Sequence, residues 1–222
     1  PSLTEKKVLD LTAETLTQVL GIIWDPNDDS FQIKVDIDQL DAAPLITKRI
    51  VLAFSAKIFD PLGFLSPVVI RFKVLLQRIW QEKIDWDDPV SIESKTIFEE
   101  GANDLKKLSN FKIQRPYSML DIQDREIIGF CDASNAAYCA VVYLKTVGAN
   151  GQSDTYLVCS KTKVAPLSKG KVIENANDLE KLNIHRLELT AALLLAQLMI
   201  RVSEHVKISV MHAYSDSQVA LC

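Results

Sequence analysis

Three carboxylates stand where ordinary packing does not call for them. Asp132 closes the apolar run Ile127 to Cys131 and is followed by Ala133 and Ser134. Glu188 sits among apolar residues in His185-Arg-Leu-Glu-Leu189, and Asp216 closes a second apolar run in Tyr214-Ser-Asp-Ser-Gln218. Acids at the carboxyl ends of two strands, with a third on a packed helix face, converge when the strands share an open sheet. Gathered carboxylates repel one another and are costly to bury unpaired, so such a group persists where a divalent cation neutralises it. Oxygen ligands with no His or Cys alongside select Mg2+ or Mn2+ over zinc. Two such ions about 4 Å apart activate a water and stabilise the leaving oxygen in phosphodiester cleavage. Taken singly, Asp132 and Asp216 also suit turns or helix caps, and Glu188 suits a first helical turn, where it would offset the dipole. The order strand-end Asp, helix Glu, strand-end Asp-Ser favours the joint reading.

The elements that must position these acids are legible as periodicities. Ile127 to Cys131, Tyr138 to Val147 and Thr155 to Ser160 read as strands, Leu187 to Val202 as an amphipathic helix, and Ile208 to Tyr214 as a fourth strand. A further helix starts at Asp216. Upstream, Leu20 to Trp24 and Phe31 to Ile37 flank the turn Asp25-Pro-Asn-Asp-Asp-Ser30 and predict a β-hairpin. Ile50, Phe54 and Ile58 recur at helical spacing until Asp60-Pro-Leu-Gly63 breaks the helix. Ser66-Pro67 opens the next helix, with Val69, Phe72, Leu76, Ile79 and Trp80 on one side. A more polar helix follows Asp85-Trp-Asp-Asp-Pro89 and runs to about Leu108. Residues 111–124, with Arg115-Pro116, read as a linker.

Composition limits the alternatives. The 222 residues are 48% hydrophobic and 24% charged, which suits a folded chain with one large core or two small ones. No apolar run reaches the roughly 18–20 residues of a membrane span. Cys131, Cys139, Cys159 and Cys222 show no zinc-ligand spacing, and His185, His205 and His212 form no ligand pair. Three of the cysteines lie in strand-like runs and read as small buried hydrophobes, which fits a reducing, intracellular compartment. The net charge of −4 does not advertise nucleic-acid binding, though local basic patches are compatible with it.

Phe130-Cys-Asp-Ala-Ser134, Arg186-Leu-Glu-Leu189 and Ser215-Asp-Ser-Gln218 resemble, in order and context, the three acidic motifs of the RNase H domains of retroelement reverse transcriptases. The resemblance implies Asp132, Glu188 and Asp216 as catalytic residues binding two Mg2+ or Mn2+ ions. Val19-Leu-Gly-Ile-Ile-Trp-Asp-Pro26, Ala56-Lys-Ile-Phe-Asp-Pro-Leu-Gly-Phe-Leu-Ser-Pro67 and Cys159-Ser-Lys-Thr-Lys-Val-Ala-Pro-Leu167 are similar to the BEL/Pao group of LTR retrotransposons. The fold class expected is mixed α/β: an N-terminal β-hairpin and a small helical unit, then an RNase H-like mixed sheet with helices. The implied organisation is the end of a polymerase palm (1–45), a helical thumb or connection unit (46–115), a linker (116–125) and a C-terminally truncated RNase H-like domain (126–222).

The function implied is metal-dependent endonucleolytic cleavage of RNA in an RNA–DNA hybrid during reverse transcription. The implied partners are that hybrid and the rest of the polyprotein, with its polymerase palm, fingers and integrase. The implied location is a cytoplasmic virus-like particle or the nucleus. Ser134, Asn135 and Gln218 are candidate substrate contacts, because a hybrid is read through backbone shape and 2′-hydroxyls. Lys161 and Lys163, with Lys169 and Lys171, could touch phosphates or form a solvated loop face. Trp24, Trp80 and Trp86 read as core or interdomain anchors.

Three departures qualify the resemblance. The polymerase aromatic-x-Asp-Asp motif is missing, and Asp28-Asp29 and Asp87-Asp88 read as turns, so no polymerisation is expected. The chain ends before the fourth Asp that such nucleases use, so weak or no turnover is expected of it alone. Lys169 to Asn183 reads as a mobile inserted loop. Two other functions compete with the nuclease reading. An aspartic peptidase, suggested by the "Pao retrotransposon peptidase" label for this region, needs an Asp-Thr/Ser-Gly loop that Asp132-Ala-Ser134 does not supply. The other is non-catalytic, a degenerate genomic copy or a structural connection domain, and retention of three acids disfavours the connection role.

Overall fold

Short alternating runs joined by Asn/Asp turns make the first sheet. The computed structural model describes residues 17–19, 22–33, 45–108, 111–115, 122–167 and 176–221. Strands β1 (Thr17–Val19), β2 (Ile22–Asp25) and β3 (Ser30–Ile33) form an antiparallel meander. The expected hairpin is present, although Leu20, Gly21 and the 34–37 part of the expected second strand lie outside the described residues. The Asp28-Asp29 pair occupies its turn. Asp29 Oδ1 accepts the Trp24 indole N–H at 2.9 Å and the Arg115 guanidinium at 2.9 Å.

The helical unit follows its punctuation. Helix α1 (Lys48–Lys57) is capped by the Thr47 hydroxyl, α2 (Ser66–Gln81) carries Pro67 in its first turn, and α3 (Ile92–Leu108) completes the unit. Phe54, Phe72 and Phe98 meet at its centre with ring centroids 5.2–5.9 Å apart, within a core that also includes Val51, Leu75, Ile79 and Leu105. The tryptophans depart from expectation. Trp80 and Trp86 are exposed and stack edge to face at 5.3 Å. The buried Lys48 ammonium lies 4.7 Å above the Trp80 ring and donates to the Ile84 carbonyl, so cation–π attraction holds the indoles at the surface. Beyond α3, Lys112–Gln114 forms β4 and pairs with β3. Part of the expected linker is therefore a strand, and three residues are too few to show a period. The helices are an excursion between two neighbouring strands.

The second sheet has order β7-β6-β5-β8. Strands β5 (Ile122–Ala133), β6 (Ala137–Gly148) and β7 (Ser153–Val164) are antiparallel, and β8 (Val210–Tyr214) lies parallel to β5. Strand β5 begins earlier than its apolar run, because Gln123, Asp124 and Arg125 hide its start. Tyr138, Ala140, Val142 and Leu144 alternate inward along β6 and meet Leu187, Ala191, Leu194, Leu195 and Met199 of α4 (Ala176–Ser203). A Cβ on Gly129 would lie 2.5 Å from Leu195 Cδ1, so that glycine lets the helix approach β5. Helix α4 starts well before Leu187. The 176–183 part of the expected mobile loop is helical, whereas 168–175, with Lys169 and Lys171, is outside the described residues. The short helix α5 (Gln218–Leu221) follows β8. Among the described residues, no helix is long and apolar enough to cross a membrane.

The Asp60-Pro-Leu-Gly63 segment joins the two units. The Asp60 carboxylate accepts the backbone N–H groups of Phe64 and Leu65 at 2.8 and 2.7 Å. The exposed edge of β7 then docks on the loop: Ser160 N–H donates to the Leu62 carbonyl at 2.8 Å, and Ser160 Oγ donates to the Gly63 carbonyl at 2.5 Å. Gly63 has φ +77°, and a Cβ there would overlap the Ser160 carbonyl. Gly151 has φ +76° with open space around it. Gly151→Ala therefore costs about 1–2 kcal/mol of backbone strain alone. Gly63→Ala is expected to cost clearly more, read as a larger drop in the urea midpoint; equal drops would show that the joint is loose.

Candidate active site

The parallel ladder stops two residues short of two of the acids. Phe130 of β5 lies opposite Tyr214 of β8, so Asp132 and Asp216 each stand two residues further on, at the carboxyl ends of neighbouring strands. Adjacent strands run roughly 5 Å apart. Both side chains are exposed. The neighbouring Cys131 thiol is pushed up mainly by burial, against a hydrogen bond with Ser215 and with smaller contributions from the charges of Asp132 and Asp216. Asp132 Oδ1 accepts the following Ala133 N–H at 2.7 Å.

Glu188 reaches the same end of the sheet from α4. Its Oε2 accepts the Ser217 hydroxyl at 2.7 Å and lies 3.2 Å from His185 Nδ1. The Ser217 bond, followed by the His185 bond, holds the Glu188 carboxyl below its ordinary range against a smaller opposing effect of burial. Glu188 is not in a first helical turn, since α4 begins at Ala176, so it does not serve as an N-terminal dipole acid. Nor is Asp216 the cap of α5: Ser217 Oγ accepts the Ala220 N–H there.

The three acids thus collect at one end of the sheet without closing on a point. Among the described residues, no three His, Cys, Asp or Glu side chains are close enough to hold an ion. Glu188 is held by Ser217. The donor set, carboxylate oxygens with no thiolate, fits a hard divalent ion. Cys139 and Cys159, like Cys131, are free thiols pushed up by burial, which fits packing rather than ligation.

The other nominated residues divide. Ser134 closes the β5–β6 turn, its hydroxyl bonded to the Ala137 carbonyl at 3.1 Å, and Asn135 is exposed beside it. Gln218 opens α5, exposed next to Ser217. Lys161 and Lys163 are brought elsewhere. They pair with Ala140 and Tyr138, whose side chains face α4, whereas Asp132 pairs with Cys139 and so faces the other side. On that other side, Asp132, Ser134, Tyr143 and Thr162 line a cleft of about 430 Å³ against Phe64 and Pro67 of the helical unit. Below the aspartates, Phe130 (44% exposed) stacks on Tyr214 (51% exposed) at 5.3 Å, an aromatic row that sequence reading missed. Strand alternation could have found it once β5 and β8 were known to pair.

A mixed sheet in which three antiparallel strands are joined by a parallel fourth, with a helix crossing between them, is the RNase H-like arrangement. The family model described as "Pao retrotransposon-like RNaseH-like domain" matches residues 47–217, and the chain belongs to that family. The chain is also similar to the foamy viral protease-reverse transcriptase in two structures with double-stranded DNA. One, the dRH form, is 13% identical with TM-score 0.48, covering 93% of this chain and 32% of that chain. The other is 11% identical with TM-score 0.40, covering 91% of this chain and 45% of that chain. This chain thus spans less than half of either viral chain. No curated protein sequence matches it.

A carboxyl with a lowered folded-state pKa stabilises the fold above the ordinary glutamate range and loses that contribution as pH falls through the folded value. Wild type should therefore lose stability relative to Glu188→Gln between about pH 6 and about pH 3. Urea midpoints at both pH values check this, and a constant difference would show that the Ser217 and His185 bonds favour neither protonation state.

Proposed function

We propose that this chain is the nuclease-bearing segment of a retroelement reverse transcriptase and that it takes part in cutting the RNA strand of RNA–DNA hybrids. Asp132, Glu188 and Asp216 are the residues that would hold two Mg2+ or Mn2+ ions. What supports this reading is that Asp132 and Asp216 each follow the last pair of the parallel ladder by two residues, with Glu188 bonded to the residue next to Asp216. The ions, when bound, would supply the charge neutralisation and Lewis acidity that phosphodiester hydrolysis needs.

The chain's own residues do the rest. Asp132 and Asp216 present oxygens at the open end of the sheet, and Glu188 approaches from the helix side. Asn135 and Gln218 flank the acids and suit contacts to sugar hydroxyls. Ser134 shapes the turn that carries Asp132 forward. Lys161 and Lys163 would meet only a duplex that passes round the β7 edge, where they add phosphate affinity rather than reaction geometry. The N-terminal segment would be the end of a polymerase palm and the helices α1–α3 a thumb or connection unit, with β5 already beginning at Ile122 inside the expected 116–125 linker.

In the complete polyprotein, Asp132→Asn or Asp216→Asn should lower hybrid cleavage by at least about 100-fold while DNA synthesis persists. Equal loss of both activities would point to folding damage instead. For the 222-residue chain itself, about 10 mM Mg2+ acting on a millimolar site should raise the melting temperature by about 2–4 °C. An unmoved melting curve would argue that the three acids do not share an ion.

A further inference from the structure

We infer that Ser217 is a positioning residue for Glu188, its hydroxyl holding one carboxylate oxygen so that the other is available to the cation shared with Asp132 and Asp216. The inference rests on the reading of Glu188 as a metal ligand.

Ser217 is 4% exposed, and a buried hydroxyl is costly unless its hydrogen is committed. That single hydrogen goes to Glu188 Oε2 at 2.7 Å. The bond's direction is fixed from behind: the same Oγ accepts the Ala220 N–H at 3.2 Å, and the Ser217 N–H is itself held by Ser215 Oγ at 3.2 Å. The hydroxyl therefore cannot rotate freely and points across to α4. His185 approaches the same oxygen, so the Ser217 and His185 contacts of Glu188 both fall on Oε2 and neither falls on Oε1. Ser217 directly follows Asp216, so the residue next to the aspartate is the one that anchors the glutamate's helix. Ligating carboxylates are commonly oriented in this way by outer hydrogen bonds, and losing such a partner typically lowers metal affinity or activity by about 10–100-fold. A serine serving only to cap the four-residue α5 would need the acceptor lone pair and not the bond to Glu188.

The test is calorimetric titration of the 222-residue chain with Mg2+ alone, with melting in chelator as the check on folding. Ser217→Ala should raise the half-saturating Mg2+ concentration by about 10-fold or more, and Ser217→Thr, which keeps the hydroxyl, should return it to within about 3-fold of wild type. Ser217→Cys keeps the shape with a weaker donor and should fall between them, so the bond can be read even if the alanine variant does not melt cooperatively. Unchanged half-saturation in Ser217→Ala or Ser217→Cys, with binding lost in Glu188→Gln, overturns the positioning role and leaves the metal site standing. Full Mg2+ binding by Glu188→Gln, or none by wild type, overturns both.

Discussion

The parallel pairing of β5 with β8 is the constraint from which the rest follows, because it fixes the level at which two strands stop. Phe130 opposite Tyr214 is the last pair of that ladder, so Asp132 and Asp216 both follow it by two residues, Asp132 still in β5 and Asp216 in the bend just past β8. A parallel neighbour requires a crossover, and α4 supplies it while covering the sheet face. The helix is held close by the missing side chain at Gly129, and its stripe from Leu187 to Met199 then settles which way Glu188 leaves the core. The position of the acids is thus a by-product of hydrophobic burial. Only the last step, the bond from Ser217, is polar.

Much of this was legible in the order of residues. Alternation announced β6, Ser66-Pro67 announced α2, and the three acidic contexts announced which side chains to watch. What escaped has specific causes. Strand β4 is too short for a period to appear, and β5 begins in residues whose polarity matches a linker. The first turns of α4, Ala176 to Arg186, are too polar to extend the apolar pattern of the turns that follow. Faces of the sheet could not be assigned either. Lys161 and Lys163 are near Asp132 in the folded chain only until strand register is known, and then they lie across the sheet from it. The Ser217–Glu188 bond joins residues 29 positions apart on different elements, and nothing local foretells it. The surface indoles show the converse failure: tryptophan suggested burial, but the rings lie exposed over the buried Lys48 ammonium.

The two hydrophobic cores explain why the chain reads as two units with one short joint. The helical core around Phe54, Phe72 and Phe98 shares no residue with the core beneath α4. The hydrogen bonds between the units run largely to backbone: the Leu62 and Gly63 carbonyls on Ser160, and the Gln77 amide on the Ala165 carbonyl at 2.7 Å. Beside them, Phe64, Pro67 and Ile70 line a cleft together with Val141, Tyr143 and Leu157. The hydrogen bonds are directional and so specify the angle.

The excursion of the helices between β3 and β4 has a mechanical corollary. A lobe that leaves and returns on adjacent strands is held along one line, and a body held along a line can swing about it like a door. The Asp60–Gly63 loop gripping β7 is a third support, well away from that line in the sequence and on a different sheet. The lobe is thereby pinned to both sheets, by strands on one and by a loop on the other.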